Sequence, residues 1–112
     1  MPTPYALPCP IARTLDLIGE RWTMLVLREL SLKGPRKFKD FEAVLPACGP
    51  ATLSARLKGL EAAGLVKRRF YEEHPPRAEY LLTAKGESLR PILRALRDWG
   101  LEHLNEAGDL TA

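Results

Sequence analysis

Apolar positions along the chain recur first at helical spacing, then in two strand-like runs, then at helical spacing again. Ile11, Leu15 and Ile18, with Ala12 beside them, repeat at three and four residues. They predict a short amphipathic helix that opens at Pro10 and ends near Gly19. A second helix over 21–32 sets Trp22, Leu25, Val26, Glu29 and Leu30 in helical order and stops before Gly34-Pro35. Glu29 is the one polar residue on its apolar stripe, and Trp22 reads as packing. A third helix over 37–45 puts Phe38, Phe41 and Leu45 on one side and Lys37, Lys39 and Glu42 on the others. Pro46 ends it.

The next segment has the clearest boundaries. Pro50 sits at a natural first helical position, where its missing N–H costs nothing. Leu53, Leu57 and Leu60 form a narrow apolar stripe, and Gly64 falls where a left-handed residue closes a helix, with Leu65 placed to contact Leu60. Val66 to Tyr71 and Ala78 to Leu82 then read as two short strands joined by an extended tip, 72–77, that contains Pro75-Pro76. Thr83 can cap a last helix over 84–105, with Leu89, Leu93, Leu96 and Trp99 on one side and Ile92 and Leu104 beside them. Pro91 is expected to kink that helix or limit its first turns. Residues 1–9, rich in proline, read as an extended arm.

Two helices joined by a turn of about four residues, followed directly by a hairpin, fit a winged helix-turn-helix. The expected class is mostly α with a small β-hairpin wing, in one domain covering 1–112. That length suits a single core. A content of 46% hydrophobic and 28% charged residues is enough for the chain to fold rather than stay disordered. The apolar runs are too short to span a membrane and no secretory leader precedes them, so the cytoplasm is the expected location. Cys9 and Cys48 lie far apart and in no metal-ligand spacing, which argues against a disulfide framework and a zinc site.

Charge adds direction. The net charge is only +3, yet Lys33 to Arg69 holds nine basic residues against Asp40, Glu42 and Glu61, so the middle is about six units positive and the flanks are net acidic. A basic centre on a winged helix-turn-helix points to nucleic acid. No Gly-rich phosphate loop, nucleophile elbow or metal-ligand cluster is present in the sequence, so neither an enzyme nor a bound cofactor is expected. The competing class is a winged-helix module whose basic face binds a protein or RNA without reading duplex sequence.

Taken together, the motifs resemble the HxlR-type winged-helix regulators, relatives of the broader MarR-like group. The resemblance rests on Cys9-Pro10, Leu17-Ile18-Gly19, Trp22, Arg28-Glu29-Leu30, Gly34 with Phe38, Leu53-Ser54 through Arg56-Leu57, Leu60-Glu61 with Gly64-Leu65-Val66, Pro75-Pro76-Arg77, Tyr80 with Leu82-Thr83, Gly86 and Trp99. It covers about nine-tenths of the chain. It implies a homodimer joined through the first and last helices, each subunit offering one recognition helix and one wing to a pseudo-palindromic operator, as repressor or activator. The position before the recognition helix is often serine in that family and is Gly49 here, so the resemblance carries no side-chain cap to it. Cys48 is not a general family feature.

Projection at about 100° per residue turns Ala51, Ala55 and Lys58 outward from the leucine stripe, with Thr52 and Ser54 on the flanks. With Pro50 and Arg56 these are the candidate recognition-helix contacts, able to meet thymine methyls, base edges or phosphates. Arg56 points nearer the buried side, where it can pair with an acid or reach the backbone. Without the surrounding motif, the same small residues would read as a solvated face. Arg36, Lys37 and Lys39 lie near a helix start that favours phosphate. Arg68 and Arg69 face opposite ways on the first strand, so one of them, Arg69, joins Arg77 as a wing contact. His74 decorates the tip rather than sensing pH.

Ile11, Leu15, Leu93, Leu96 and Trp99 are the expected dimer contacts, although the stripe on the last helix can also serve the core of its own subunit. Some HxlR-type regulators sense electrophiles or oxidants with a cysteine at the position of Cys9. Cys48 lies by a helix N-terminus, whose dipole can lower a thiol pKa. Cys9 is therefore the candidate redox sensor and Cys48 its candidate partner across the dimer. The expected partners are operator DNA and a second subunit, with an oxidant or small-molecule effector and no membrane.

Overall fold

A computed structural model describes residues 8–104. Among them the order is α1 (Pro10–Ile18), α2 (Arg21–Lys33), β1 (Arg36–Lys37), α3 (Phe38–Val44), a 3-10 turn (Pro46–Cys48), α4 (Pro50–Ala62), β2 (Val66–Glu73), β3 (Pro76–Leu82), α5 (Ala84–Glu87) and α6 (Arg90–His103). Residues 1–7 of the expected arm and residue 105 of the expected last helix lie outside the described range.

The apolar spacing becomes a core where α2, α3 and α4 meet one face of a small sheet. Val26, Leu27, Leu30, Phe41, Leu53, Leu57 and Leu60 are its largest fully buried side chains. Each such leucine contributes about 1.5–3 kcal/mol by leaving water, so the three on α4 fix its rotation about its own axis. Phe41 meets Tyr80 edge to face, at 6.2 Å between centroids and 67° between planes, and joins α3 to the sheet. α4 ends as its sequence dictates. Leu65 N–H donates to Leu60 O and Gly64 N–H to Glu61 O, both at 3.0 Å, with Gly64 at φ 75°. This is a Schellman closure, and its left-handed residue favours glycine.

The sheet is antiparallel in the order β1-β3-β2. β1 pairs Arg36 with Tyr80 and Lys37 with Glu79, so these two residues form an edge strand rather than the first turn of a helix. A two-residue strand carries no readable alternation, which is why it is absent from the sequence expectation. The hairpin strands are also longer than expected, since Glu72 pairs with Arg77 and Glu73 with Pro76, leaving only His74 and Pro75 at the turn. A bulge falls between Phe70 and Glu72.

The expected continuous last helix is two helices. Thr83 caps the first, its Oγ1 accepting from Gly86 N–H at 3.1 Å, as its sequence position implies. Ser88 and Leu89, both in right-handed helical backbone, separate the two, and α6 begins with Pro91 in its first turn. Proline lacks the N–H that a continuous helix would need there. Arg90 anchors the new start to the end of α2, donating from Nη1 to Ser31 O at 2.6 Å and to Ser31 Oγ at 2.9 Å. No described helix is long and apolar enough to cross a membrane.

Candidate nucleic-acid interface

α3, the 3-10 turn and α4 form the helix-turn-helix, and the turn sets where α4 begins. Cys48 N–H donates to Leu45 O at 3.0 Å, folding the turn inward, and Gly49 follows at φ 81° and ψ 150°. That backbone region is essentially glycine's alone. Gly49 makes no side-chain cap, and Pro50 occupies the first turn. The helix thus begins by backbone geometry, at a position where the resembling family often has serine.

With Leu53, Leu57 and Leu60 buried, α4 turns Pro50, Ala51, Ala55 and Lys58 fully outward and leaves Thr52 and Ser54 half-buried beside them. The outward face carries no carboxylate, because the one acid of α4, Glu61, is held by Arg68 Nε at 3.0 Å. At about 1.5 Å per residue α4 is about 20 Å long, and a helix of that size fits the roughly 12 Å major groove of B-DNA. Arg56 behaves otherwise. It is half-buried, its Nε lying 3.0 Å from Glu20 Oε1, and Glu20 also caps α2 by accepting from Thr23 N–H at 2.8 Å.

The other basic candidates divide into tied and untied groups. Arg36 lies in β1 with Nη2 3.9 Å from Glu29 Oε1, so it does not present a free cation at a helix N-terminus. Glu29 is 4% exposed and also accepts from Arg28 Nη2 at 2.7 Å, which explains a carboxylate on an apolar stripe. Lys37 donates its backbone N–H to Asp40 Oδ2 at 2.8 Å, and its Nζ stands 4.9 Å from the centre of the Tyr71 ring. On the wing, Arg69 is hydrogen-bonded to Glu79, and Arg77 Nε lies 3.6 Å from Glu72 Oε2. Lys39, Lys58 and Lys67 are exposed and make no ion pair among the described residues. Of these three, Lys67 alone is not among the contacts expected from the sequence. Strand alternation could have found it, because Val66 is buried and Lys67 must then share a face with Arg69.

The cysteines differ sharply. Cys9 is exposed just ahead of α1, whereas Cys48 is buried. Burial and the nearby Glu20 carboxylate push the Cys48 thiol up, against a smaller lowering by Arg56. This corrects the expectation of a thiol pKa lowered by the adjacent helix, since loss of water and the Glu20 carboxylate together outweigh the lowering by Arg56.

Away from the basic face, Ile11, Leu15, Leu96 and Trp99 are each more than half exposed. Leu93 instead packs against the core of its own subunit. α1 and α6 enclose an open apolar trough of about 550 Å³ lined by Ile11, Leu15, Met24, Ile92 and Leu96.

The family model for an HxlR-like helix-turn-helix matches residues 17–108. An uncharacterised helix-turn-helix-type transcriptional regulator of Synechocystis is 43% identical over 98 residues, covering 88% of this chain and 72% of the relative. The structure is similar to that of the redox regulator HypR in its oxidised form, with TM-score 0.79 and 34% identity, covering 87% of this chain and 99% of that one. It is also similar to the reduced form of the transcriptional regulator YodB from Bacillus subtilis, with TM-score 0.73 and 30% identity, covering 92% and 100%.

Proposed function

This chain belongs to the HxlR-like helix-turn-helix family, and from that premise we propose that it is a transcriptional regulator that binds double-stranded operator DNA sequence-specifically as a homodimer. The observation that carries this reading is the outward face of α4, which presents Ala51, Ala55 and Lys58 without a carboxylate and is accompanied by Lys39 and Lys67, exposed and without an ion pair among the described residues. Phosphate contacts by the lysines supply most of the affinity, and the small α4 residues with Lys58 select bases. Arg56, Arg69 and Arg77 reach DNA only by exchanging a carboxylate for a phosphate.

The second subunit covers the α1–α6 trough. Ile11, Leu15, Leu96 and Trp99 are large apolar side chains exposed on these two helices, the kind of surface that marks an interaction site, and pairing would set two copies of α4 at a fixed spacing on the operator. Control is by oxidation. Cys9 is the thiol an oxidant reaches, while Cys48, buried and with a raised pKa, is slower to react at rest. Hydrogen peroxide would take the Cys9 thiolate to a sulfenic acid with release of hydroxide. Condensation with the Cys48 thiol of the other subunit would then form a disulfide and release water.

Selection of bound sequences from random duplexes, followed by affinity measurements across a salt series, tests the main reading. A common half-site with repeated spacing is the expected result. Equal binding to all duplexes, or preference for RNA, would replace it with the interaction-module reading. Operator affinity of Cys9→Ser with and without peroxide tests the control, and an unchanged oxidant response in the variant would refute it.

A further inference from the structure

A second hollow lies between α2 and α6, outside the DNA face. It has a volume of about 260 Å³, close to the lower end of the roughly 300–1,000 Å³ usual for ligand pockets. Its floor is apolar, built from Met24, Leu25 and Leu93 among others, while Arg28, Arg94 and Arg97 all contribute to its wall. Three guanidinium groups around one apolar hollow repel one another. The described residues only partly compensate them: Arg28 meets Glu29 and Arg97 meets its neighbour Asp98, but Arg94 has no ion-pair partner. The Arg28 Nε is buried with no hydrogen-bond partner among the described residues, a state shared by the Nε of Arg36 and of Arg56, and of the three only Arg28 lines the hollow. A donor left in that state is destabilising unless something accepts from it.

We propose that this hollow binds an amphipathic organic anion, a carboxylate carried on a short apolar body, as an effector. The apolar part lies against Met24, Leu25 and Leu93, and the carboxylate accepts from Arg28 and Arg94. Arginine suits this task because its planar fork can donate twice to one carboxylate. An uncharged apolar molecule would leave the guanidinium groups uncompensated, and a small inorganic anion would leave the floor wet.

The site is wired to the DNA face. Arg28 shares Glu29 with Arg36, and Arg36 lies in β1, paired with Tyr80 at the root of the wing. A carboxylate that draws on Arg28 competes with Glu29, which then depends more on Arg36. Occupancy thereby shifts the seating of β1 and the wing. This regulatory consequence rests on the DNA-binding reading, whereas the existence of the site does not.

Octanoate titrated into the full chain by calorimetry, below its micelle concentration, tests the site, with octanamide as the uncharged match. The expected result is saturable binding of one octanoate per chain, NMR shifts at the Met24 and Leu93 methyls, and binding weakened by about tenfold or more for octanamide and for Arg28→Gln. Should Arg28→Gln fail to fold, Arg94→Gln, on the exposed side of α6, carries the same expectation. No saturable binding, equal binding of octanamide, or wild-type affinity in the folded variants would overturn the proposal. The relay is read separately on a selected duplex. Octanoate should weaken duplex binding by wild type and leave Arg94→Gln unaffected. Octanoate binding with unchanged duplex affinity would overturn the relay alone, and duplex binding without octanoate binding would overturn the site alone.

Discussion

Replacing Gly49 and Gly59 in turn by alanine separates backbone strain from crowding at the recognition helix. A Cβ at either position meets nothing within 4 Å, so neither substitution adds a collision. Gly49, however, lies at φ 81° and ψ 150°, where a side chain costs about 1–3 kcal/mol. Stiffening the unfolded chain returns about 0.4–1 kcal/mol, so the net loss for Gly49→Ala is about 1–2 kcal/mol. Gly59 is an exposed interior position of a regular helix, and alanine there gains about 0.5–1 kcal/mol. For a chain of this size each kcal/mol moves Tm by about 4 °C. Thermal unfolding followed by circular dichroism, at one fixed protein concentration so that any self-association weighs equally on all variants, should show Gly49→Ala lower by about 4–8 °C and Gly59→Ala higher by about 2–4 °C. At a temperature where both are folded, Gly49→Ala should also bind its duplex more weakly, because α4 then starts at a different angle. A Gly49→Ala protein that melts at or above wild type would refute the positive-φ account of this turn.

Three further outcomes follow from the same geometry. In Gly86→Ala the new methyl would overlap the Leu65 carbonyl oxygen and stand 3.0 Å from Leu82 Cδ2. Denaturant unfolding should register a loss of about 1–3 kcal/mol or more, as for other overpacked sites, and an unchanged midpoint would contradict the close approach of α5 to the wing root. Lys67→Ala should weaken duplex binding almost equally on all sequences and lower the salt slope by about one; an unaltered slope would remove the Lys67 face of β2 from the interface. The Glu87 carboxyl is held below the usual glutamate value of 4.5 mainly by its hydrogen bond to Arg90. Its stabilising contribution is therefore complete above that value and lost as pH falls through the lowered folded-state pKa. Wild type should lose more stability than Glu87→Gln across that acid range in denaturant titrations, and parallel profiles would show that the pair is not formed in solution.

How much of this was legible in the chain depends on whether the signal was local. The bounds of α4 were, because Pro50, the leucine stripe and Gly64 lie within one segment and each has a single stereochemical use. Thr83 as a cap was legible for the same reason. The outer hairpin was not, because Glu72 and Arg77 extend it by cross-strand charge pairing rather than by an apolar alternation. β1 was too short to carry a period. The environment of the Cys48 thiol was hidden for a different reason: its position beside a helix start is local, but its burial is a product of the turn folding inward against the rest of the core. The arginine pairings were hidden as well, since Glu20 and Arg56, or Glu29 and Arg36, meet only after tertiary folding.

Those two pairings put α2 between the reading helix and the wing, and they are not equal in strength. Glu29 is 4% exposed, so removing it would leave Arg28 and Arg36 facing an empty buried position. Breaking a buried pair in this way typically costs about 3–5 kcal/mol, discounted here because both arginines are partly open to water. Glu20 and Arg56 keep 39% and 38% of their side chains exposed, where water and salt screen the attraction and a pair contributes about 0–1 kcal/mol. Arg36 is consequently a fixed part of the joint between α2 and β1. Arg56 can give up its carboxylate at small cost and turn to a phosphate of the duplex. The two arginines look alike in the sequence, flanking the same basic stretch, yet the burial of their partners assigns one to the architecture of the domain and leaves the other available to DNA.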